Sequence, residues 1–190
     1  MTDLETQMNA VGSAVAPALL ALEECEALAA CYDDNANFRS RIVMERYSFG
    51  RGEYKYFAYP LPEPLSALRE AAYARLAPIA NRWNEAMGID TCYSREHAAF
   101  IERCHEVGQT RPTPLLLRYV PGDYNCLHQD LYGEHVFPIQ MAVLLSAPNR
   151  DFTGGEFVMT EQRPRMQSRA EVVHLSQGDA VFFAAHHRPV

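Results

Sequence analysis

The sequence lacks the features of a membrane or secreted protein. Its 190 residues contain no run of 18 or more apolar residues, and the N-terminus has neither the basic start nor the apolar block of a secretory signal. The five cysteines are odd in number and form no Cys-x-x-Cys pair, which argues against a disulfide framework or a zinc site. We therefore expect a cytoplasmic protein with reduced cysteines and no membrane partner.

Basic residues are also scarce. Lys and Arg number 17 against 24 Asp and Glu, which gives a formal net charge of −7. Proteins that bind long nucleic-acid duplexes tightly and non-specifically carry a basic surface, so this balance counts against that class. A local basic groove is still compatible with it. With 48% apolar residues, the chain is long enough for one domain with its own core.

The most informative stretch is 115–130. It contains an apolar strand, a Pro121-Gly122 turn and a second short strand that we expect to end on His128 and Asp130. Residues i and i+2 of a strand point to the same face, so the imidazole and the carboxylate should converge. Such a pair supplies two ligands of a two-His-one-carboxylate iron site. Taken alone, the pattern also fits a hydrogen-bonded surface pair.

The residues around this pair form a longer pattern: Arg118-Tyr119-x-Pro121-Gly122, four residues, then Leu127-His128-Gln129-Asp130. This order resembles the metal-binding segment of Fe(II)/2-oxoglutarate-dependent dioxygenases, above all the AlkB-type nucleic-acid demethylases. The chain departs from them at Leu117, where those enzymes carry an Asn that helps to hold the co-substrate. Nearly the whole chain is similar to a bacterial family of uncharacterised 2-oxoglutarate/Fe(II) oxygenases proposed to act on damaged nucleic acid.

The resemblance implies Fe(II), 2-oxoglutarate and O2 as cofactor and co-substrates. It also implies that Tyr119 hydrogen-bonds 2-oxoglutarate and that a second His completes the iron site. Spacing offers His187, with His186 as the alternative. In the family, however, the third-ligand strand follows the strand that begins Gly-Asp-x-Val-x-Phe. We therefore expect the family's own third His and its 2-oxoglutarate-binding Arg to lie beyond Val190.

Short strands separated by turn signals follow residue 114, a spacing typical of a jelly roll. We predict an α+β fold with a double-stranded β-helix (jelly-roll) core from about residue 115 and N-terminal helices packed on it. The predicted strands cover 115–120, 124–128, 136–146, 155–161, 170–175 and 179–185. These are six of the eight strands of the architecture, so we expect the C-terminal strands to be missing and a sheet edge to be exposed.

We treat residues 1–190 as a single oxygenase domain, with a helical region over 1–113 and an incomplete jelly-roll core over 114–190. Apolar periodicity predicts helices over 17–32, 64–87 and 94–107. Residues 1–13 show no periodic pattern and are interpreted as a loose terminus. A β-hairpin is expected near 42–59, with Gly50 and Gly52 in its turn.

Residues 47–59 contain six aromatic residues, together with Arg51 and Lys55. One interpretation is a lid on which a planar substrate stacks, with Tyr54, Tyr56 and Arg51 binding substrate and the two basic residues facing phosphates. The other is a hairpin whose rings pack on the barrel. The sequence leaves both open.

The functional hypothesis is a dioxygenase that hydroxylates or demethylates damaged or alkylated nucleic-acid bases. Nucleic acid or a modified base would then be the partner. A protein or small-molecule hydroxylase of the prolyl-hydroxylase type is an alternative with the same chemistry. A jelly-roll binding module without catalytic activity is an alternative from another class.

Overall fold

A computed structural model describes residues 4–131, 133–162 and 165–189. The helices in these ranges are α1 (Leu4–Val11), α2 (Leu22–Ala30), α3 (Glu63–Met87) and α4 (His97–Glu106). The strands are β1 (Ser13–Ala16), β2 (Phe38–Val43), β3 (Gly50–Arg51), β4 (Glu53–Phe57), β5 (Leu115–Arg118), β6 (Tyr124–Asn125), β7 (Ile139–Val143), β8 (Phe157–Glu161), β9 (Arg169–Val173) and β10 (Ala180–Ala184). The predicted mixture of helices and strands is confirmed, and the strands pair antiparallel.

The strands form two three-stranded sheets, ordered β1-β10-β7 and β2-β4-β5, and two strand pairs, β3-β6 and β8-β9. Both three-stranded sheets combine strands from the N-terminal region with strands that follow residue 114. The N-terminal region therefore contributes strands to the sheets as well as helices. All six strands predicted after residue 114 are present, although most are shorter than expected. For example, β6 ends at Asn125 and β7 ends at Val143.

The interpretation of residues 1–13 as a loose terminus is wrong for the described part. Met8 on α1 is fully buried, and β1 pairs along its whole length with β10. β10 consequently lies between β1 and β7 and is paired on both sides. A strand of four small residues becomes stable here because its partner supplies the hydrogen bonds and the buried surface.

Helix α3 packs its apolar stripe against the sheet β1-β10-β7. Ala72, Leu76 and Trp83 are buried in one cluster with Ile139 and Phe182 of the sheet. The helix ends as predicted, because Gly88 adopts a left-handed conformation (φ +68°) that suits a helix C-terminus. α3 is the longest helix, and in the described ranges no helix is long and apolar enough to cross a membrane.

Two other predicted helices begin later than expected. α2 starts at Leu22 rather than near residue 17, since the preceding segment binds the turn before β10: the Ala18 amide donates to Asp179 Oδ1, and the Leu20 amide donates to Gly178 O. α4 starts at His97, and Ser94 Oγ accepts from the Glu96 amide ahead of the helix.

Gly178 holds the turn before β10 in close contact with the segment that leads into α2. Its φ is +85°, and a Cβ at this position would collide with the Leu20 carbonyl oxygen. Gly88 has a similar φ of +68° but has open space around its Cα. The two glycines therefore share the conformational cost of a side chain and differ in the steric one.

We expect Gly178→Ala to destabilise the protein clearly more than Gly88→Ala. The left-handed backbone alone costs roughly 1 kcal/mol at either site. The collision at residue 178 should add about 1–3 kcal/mol, as for other overpacked sites. Urea unfolding of both variants measures the difference in the free energy of unfolding. Equal losses would show that the Leu20 segment yields freely and that Gly178 has no steric role.

Candidate metal centre and its surroundings

His128 and Asp130 lie side by side, as the strand argument predicted, although the strand itself ends earlier. β6 stops at Asn125, and residues 126–131 have no regular secondary structure. His128 Nε2 nevertheless lies 3.6 Å from Asp130 Oδ1. The two side chains are 50% and 48% exposed, so the pair is open to solvent.

The orientation of the His128 ring is fixed by its other nitrogen. Nδ1 lies 2.8 Å from the Cys126 carbonyl oxygen. A carbonyl can only accept, so Nδ1 is the donor, and Nε2 is the ring nitrogen that faces Asp130. A backbone carbonyl that holds one nitrogen while the other faces a ligand position is the usual arrangement of metal-binding histidines.

Asp130 is oriented from the neighbouring sheet. Its Oδ2 accepts a long hydrogen bond, 3.5 Å, from the side-chain amide of Gln140 on β7. Oδ1 faces His128, so the imidazole nitrogen and the carboxylate oxygen both approach the same point. Imidazole and carboxylate are the ligand types that Fe(II) takes in a facial triad, and the pair fits two positions of such a site.

A third ligand is not assembled with the pair. Within residues 4–131, 133–162 and 165–189, no group of three or more His, Cys, Asp or Glu could hold a metal ion. His186 and His187 are exposed just after β10, with their ring centroids 3.5 Å apart. The next residue, Arg188, donates to the carbonyls of Asn9 (2.8 Å) and Ala10 (3.4 Å), which binds this segment to α1. Counting residues could not reveal that attachment.

Tyr119 directly follows β5 and lies close to the candidate ligands in sequence. A Cβ on Gly52 would lie 2.9 Å from the Tyr119 ring, so the glycine makes room for it. Burial raises the pKa of Tyr119, and a hydrogen bond with the Asn125 side chain partly offsets this rise. The phenol is therefore neutral near pH 7 and available for hydrogen bonding, as a 2-oxoglutarate contact would require.

The predicted substrate residues Tyr54 and Tyr56 are half-buried in the sheet β2-β4-β5. They lie opposite Leu117 and Leu115 in the register, and their rings meet edge to face at 5.4 Å. β2 and β4 pair as the hairpin interpretation predicted. The two tyrosines therefore belong to the sheet rather than to an exposed lid.

The basic residues of this stretch differ in their surroundings. Lys55 is buried, and its ammonium group donates to the Tyr32 carbonyl (2.7 Å) and to Asn35 Oδ1 (2.9 Å), so the expectation that it faces phosphates is wrong. Arg51 is largely exposed and lies 3.6 Å from Asp123. The predicted turn at Gly50 and Gly52 is also wrong, because Gly50 and Arg51 form β3 and pair with β6.

Sequence reasoning missed three residues that contact the predicted site residues. Cys126 fixes His128 through a backbone carbonyl, which no side-chain pattern could reveal. Asn125 contacts Tyr119, and Gln140 contacts Asp130. Gln140 did carry a signal, since it is the one polar residue in the strand Ile139–Val143.

A cleft of about 570 Å³ lies elsewhere, between the end of α3 and residues 88–95. Pro78, Arg82 and Arg95 are among the described residues that line it, and none of the predicted site residues is. The candidate metal centre is thus an open surface site rather than part of this cleft.

Glu53 on β4 binds arginines of both neighbouring strands, Arg41 of β2 and Arg118 of β5. Its carboxylate accepts from the Tyr32 hydroxyl (2.8 Å), from Arg118 (2.6 Å) and from Arg41. Burial by itself would raise the pKa of Glu53. The hydrogen bonds from Arg41 and Tyr32 and the charge of Arg118 lower it by a larger amount, so the net pKa is below the usual 4.5. The ionised form is therefore the one that stabilises the fold.

We expect Glu53→Gln to reduce stability at pH 7 by about 1 kcal/mol or more, because it removes charge-assisted hydrogen bonds. Since the folded pKa is depressed, the contribution is complete above pH 4.5 and is lost as the pH falls through the folded value. The gap between wild type and variant should shrink in that window. Urea unfolding at several pH values tests this, with exposed Glu45→Gln as the control. A gap that stays constant down to acid pH would contradict the assignment.

Comparison with known proteins places these features in a family. Residues 52–190 match the model of a family described as an oxygenase catalysing oxidative methylation of damaged DNA. Two uncharacterized proteins from two strains of Mycobacterium tuberculosis, MT2286 and Rv2227, are each 45% identical over 134 residues. The match covers 70% of this chain and 58% of theirs, so the chain spans little more than half the length of these relatives.

The fold also resembles a solved structure. The crystal structure of a Pseudomonas putida prolyl-4-hydroxylase matches with a TM-score of 0.57 and 14% sequence identity. The match covers 96% of this chain and 84% of the other. At this identity the likeness concerns the fold alone.

Proposed function

This chain belongs to the family of oxygenases whose model it matches, and on that premise we propose that it is an Fe(II)- and 2-oxoglutarate-dependent dioxygenase. The reaction would be oxidative hydroxylation or demethylation. The observation that carries the proposal is the convergence of His128 Nε2 and the Asp130 carboxylate, with the imidazole held in the tautomer that a metal ligand needs. The finer fold assignment, a double-stranded β-helix in one domain, is part of the same proposal and is supported by the likeness to the prolyl-4-hydroxylase.

The protein residues have separate tasks in this proposal. His128 and Asp130 would hold Fe(II), which together with 2-oxoglutarate and O2 supplies the oxidation of an unactivated C–H bond. Cys126 O keeps the imidazole in its binding orientation, and Gln140 does the same for the carboxylate. Neutral Tyr119 would hydrogen-bond 2-oxoglutarate. His187, or His186, stays the proposed third ligand and would have to approach the pair.

For the substrate we propose a damaged or alkylated nucleic-acid base. The family description supports this choice, since it names damaged DNA. The prolyl-4-hydroxylase likeness does not favour a peptide substrate, because it concerns the fold alone. The net charge of −7 favours a short or single-stranded target over a long duplex.

Metal binding tests the carrying observation directly. Mn(II), which occupies such sites without redox chemistry, should raise the melting temperature of the wild-type chain. A ligand at 100 times its Kd stabilises by about 2.7 kcal/mol, a shift of several degrees. The double variant His128→Ala, Asp130→Ala should lose this shift, and His105→Ala, which removes an exposed histidine outside the site, should keep it. A shift that persists in the double variant would show that the metal binds elsewhere.

The reaction is tested by turnover. The chain is incubated with Fe(II), 2-oxoglutarate and a single-stranded oligonucleotide that carries an N-methylated base, and succinate and formaldehyde are measured. We expect both products to form together and His128→Ala to abolish both, because the ligand is lost. If succinate forms only with a proline-rich peptide, the substrate is a prolyl residue and the proposed nucleic-acid substrate is wrong. If no substrate or cofactor mixture yields succinate while the metal still binds, the dioxygenase proposal fails and a binding module remains.

A further inference from the structure

Two exposed aromatic rings next to the candidate metal centre have no part in the fold's core. Tyr47 and Phe49 are 56% and 40% exposed. Their ring centroids lie 5.5 Å apart with planes inclined by 21°, so the rings are stacked on each other. We call this pair the aromatic platform. It is distinct from Tyr54 and Tyr56, which are residues of strand β4.

The segment that carries the platform is well anchored although its rings are not. Met44, at its start, is 1% exposed, and its amide donates to the Gly52 carbonyl (3.0 Å). The Phe49 amide donates to the Met44 carbonyl oxygen at 3.2 Å, and Ser48 in the turn has a left-handed conformation, φ +59°. The backbone is therefore fixed at both ends of the turn, and the exposed rings occupy a defined position.

One residue connects the platform to the metal centre. The Cys126 amide donates to the Phe49 carbonyl at 2.9 Å, and the Cys126 carbonyl accepts from His128 Nδ1 at 2.8 Å. A single residue thus binds the platform on its amide side and the candidate ligand on its carbonyl side. Gly50 permits this closeness, because a Cβ there would collide with the Tyr124 carbonyl oxygen.

The surroundings of the platform combine apolar surface with a cation. Tyr124 and Leu127, on either side of Cys126, are both strongly exposed. Arg51 lies opposite Tyr124 in the β3-β6 register, and its side chain is largely exposed although it lies 3.6 Å from Asp123. Flat rings with a nearby cation suit a ligand that has a planar aromatic part and an anionic part, which describes a nucleotide unit. A proline ring would use the apolar surface alone.

We propose that the Tyr47–Phe49 platform is a base-stacking site that holds an unpaired base of single-stranded nucleic acid beside the metal centre, with Arg51 contacting the phosphate. The inference rests on the proposed nucleic-acid substrate and specifies how it is held. Stacking on aromatic side chains tolerates any base, since every base has a π-face. A duplex would keep its bases stacked internally and would not reach the rings.

Binding of labelled oligonucleotides tests the platform without requiring turnover. Fluorescence anisotropy compares a single strand of ten nucleotides with an abasic strand of equal length, which keeps the phosphates and lacks the bases. The wild-type chain should prefer the base-bearing strand, and Tyr47→Ala with Phe49→Ala should weaken its binding about tenfold or more. The same variant should bind the abasic strand as the wild type does. Val172→Ala, an exposed apolar residue on β9, serves as the matched control.

A second variant covers the case that the alanine pair does not fold. Phe49→Trp keeps a ring in place and introduces an exposed indole, whereas the native Trp83 is buried. Its fluorescence should be quenched by the base-bearing strand and unaffected by the abasic one. Equal binding of both strands by the wild type, or unchanged binding after loss of both rings, would overturn the platform.

The readouts separate this inference from the proposed function. Mn(II) stabilisation should survive loss of the platform, since neither ring is a metal ligand. If metal binding and succinate formation hold while base stacking fails, the dioxygenase stands and the platform is wrong. If Mn(II) fails to stabilise the wild type, the proposed function itself is wrong, whatever the oligonucleotides do.

Discussion

The close pairing of β3 with β6 is the constraint on which the candidate site depends. Two residues of one strand meet two of the other, and the contact is possible because Gly50 presents no side chain to the Tyr124 carbonyl. This pairing brings Phe49 to Cys126, and Cys126 in turn holds His128. The neighbouring Gly52 gives Tyr119 its space in the same way. Segments some 75 residues apart in the sequence are joined at a single short ladder.

The charges of this region are mostly neutralised within the fold. Glu53 binds Arg41 and Arg118, and Lys55 is buried on a backbone carbonyl and an amide oxygen. A cluster that reads as basic in the sequence is therefore a structural network, and it adds little to the attraction of phosphates. Arg51 also has an acidic partner, Asp123 at 3.6 Å, but it keeps most of its side chain in solvent. Recognition of a strand would thus depend on stacking more than on charge, in keeping with the acidic chain.

Local patterns in the sequence predicted those parts of the fold that local physics determines. The end of α3 follows from Gly88, and the strands after residue 114 follow from turn residues between apolar runs. His128 and Asp130 lie close together as predicted, although the strand on which that prediction was based ends at Asn125. Three features were out of reach because distant partners decide them. β1 exists through β10, the face that Lys55 occupies depends on Tyr32 and Asn35, and the position of His187 depends on the contacts of Arg188 with α1.

The stability of the fold does not explain the arrangement of His128 and Asp130. Two half-exposed groups separated by 3.6 Å at the surface contribute little to folding. Yet each is oriented by its own partner, the carbonyl of Cys126 for one and the amide of Gln140 for the other. Orientation without a gain in stability is what a ligand site requires, because the donor atoms must face the ligand position before the ligand arrives. The same reasoning applies to the platform, whose anchored backbone holds two rings in solvent where they stabilise nothing in the core.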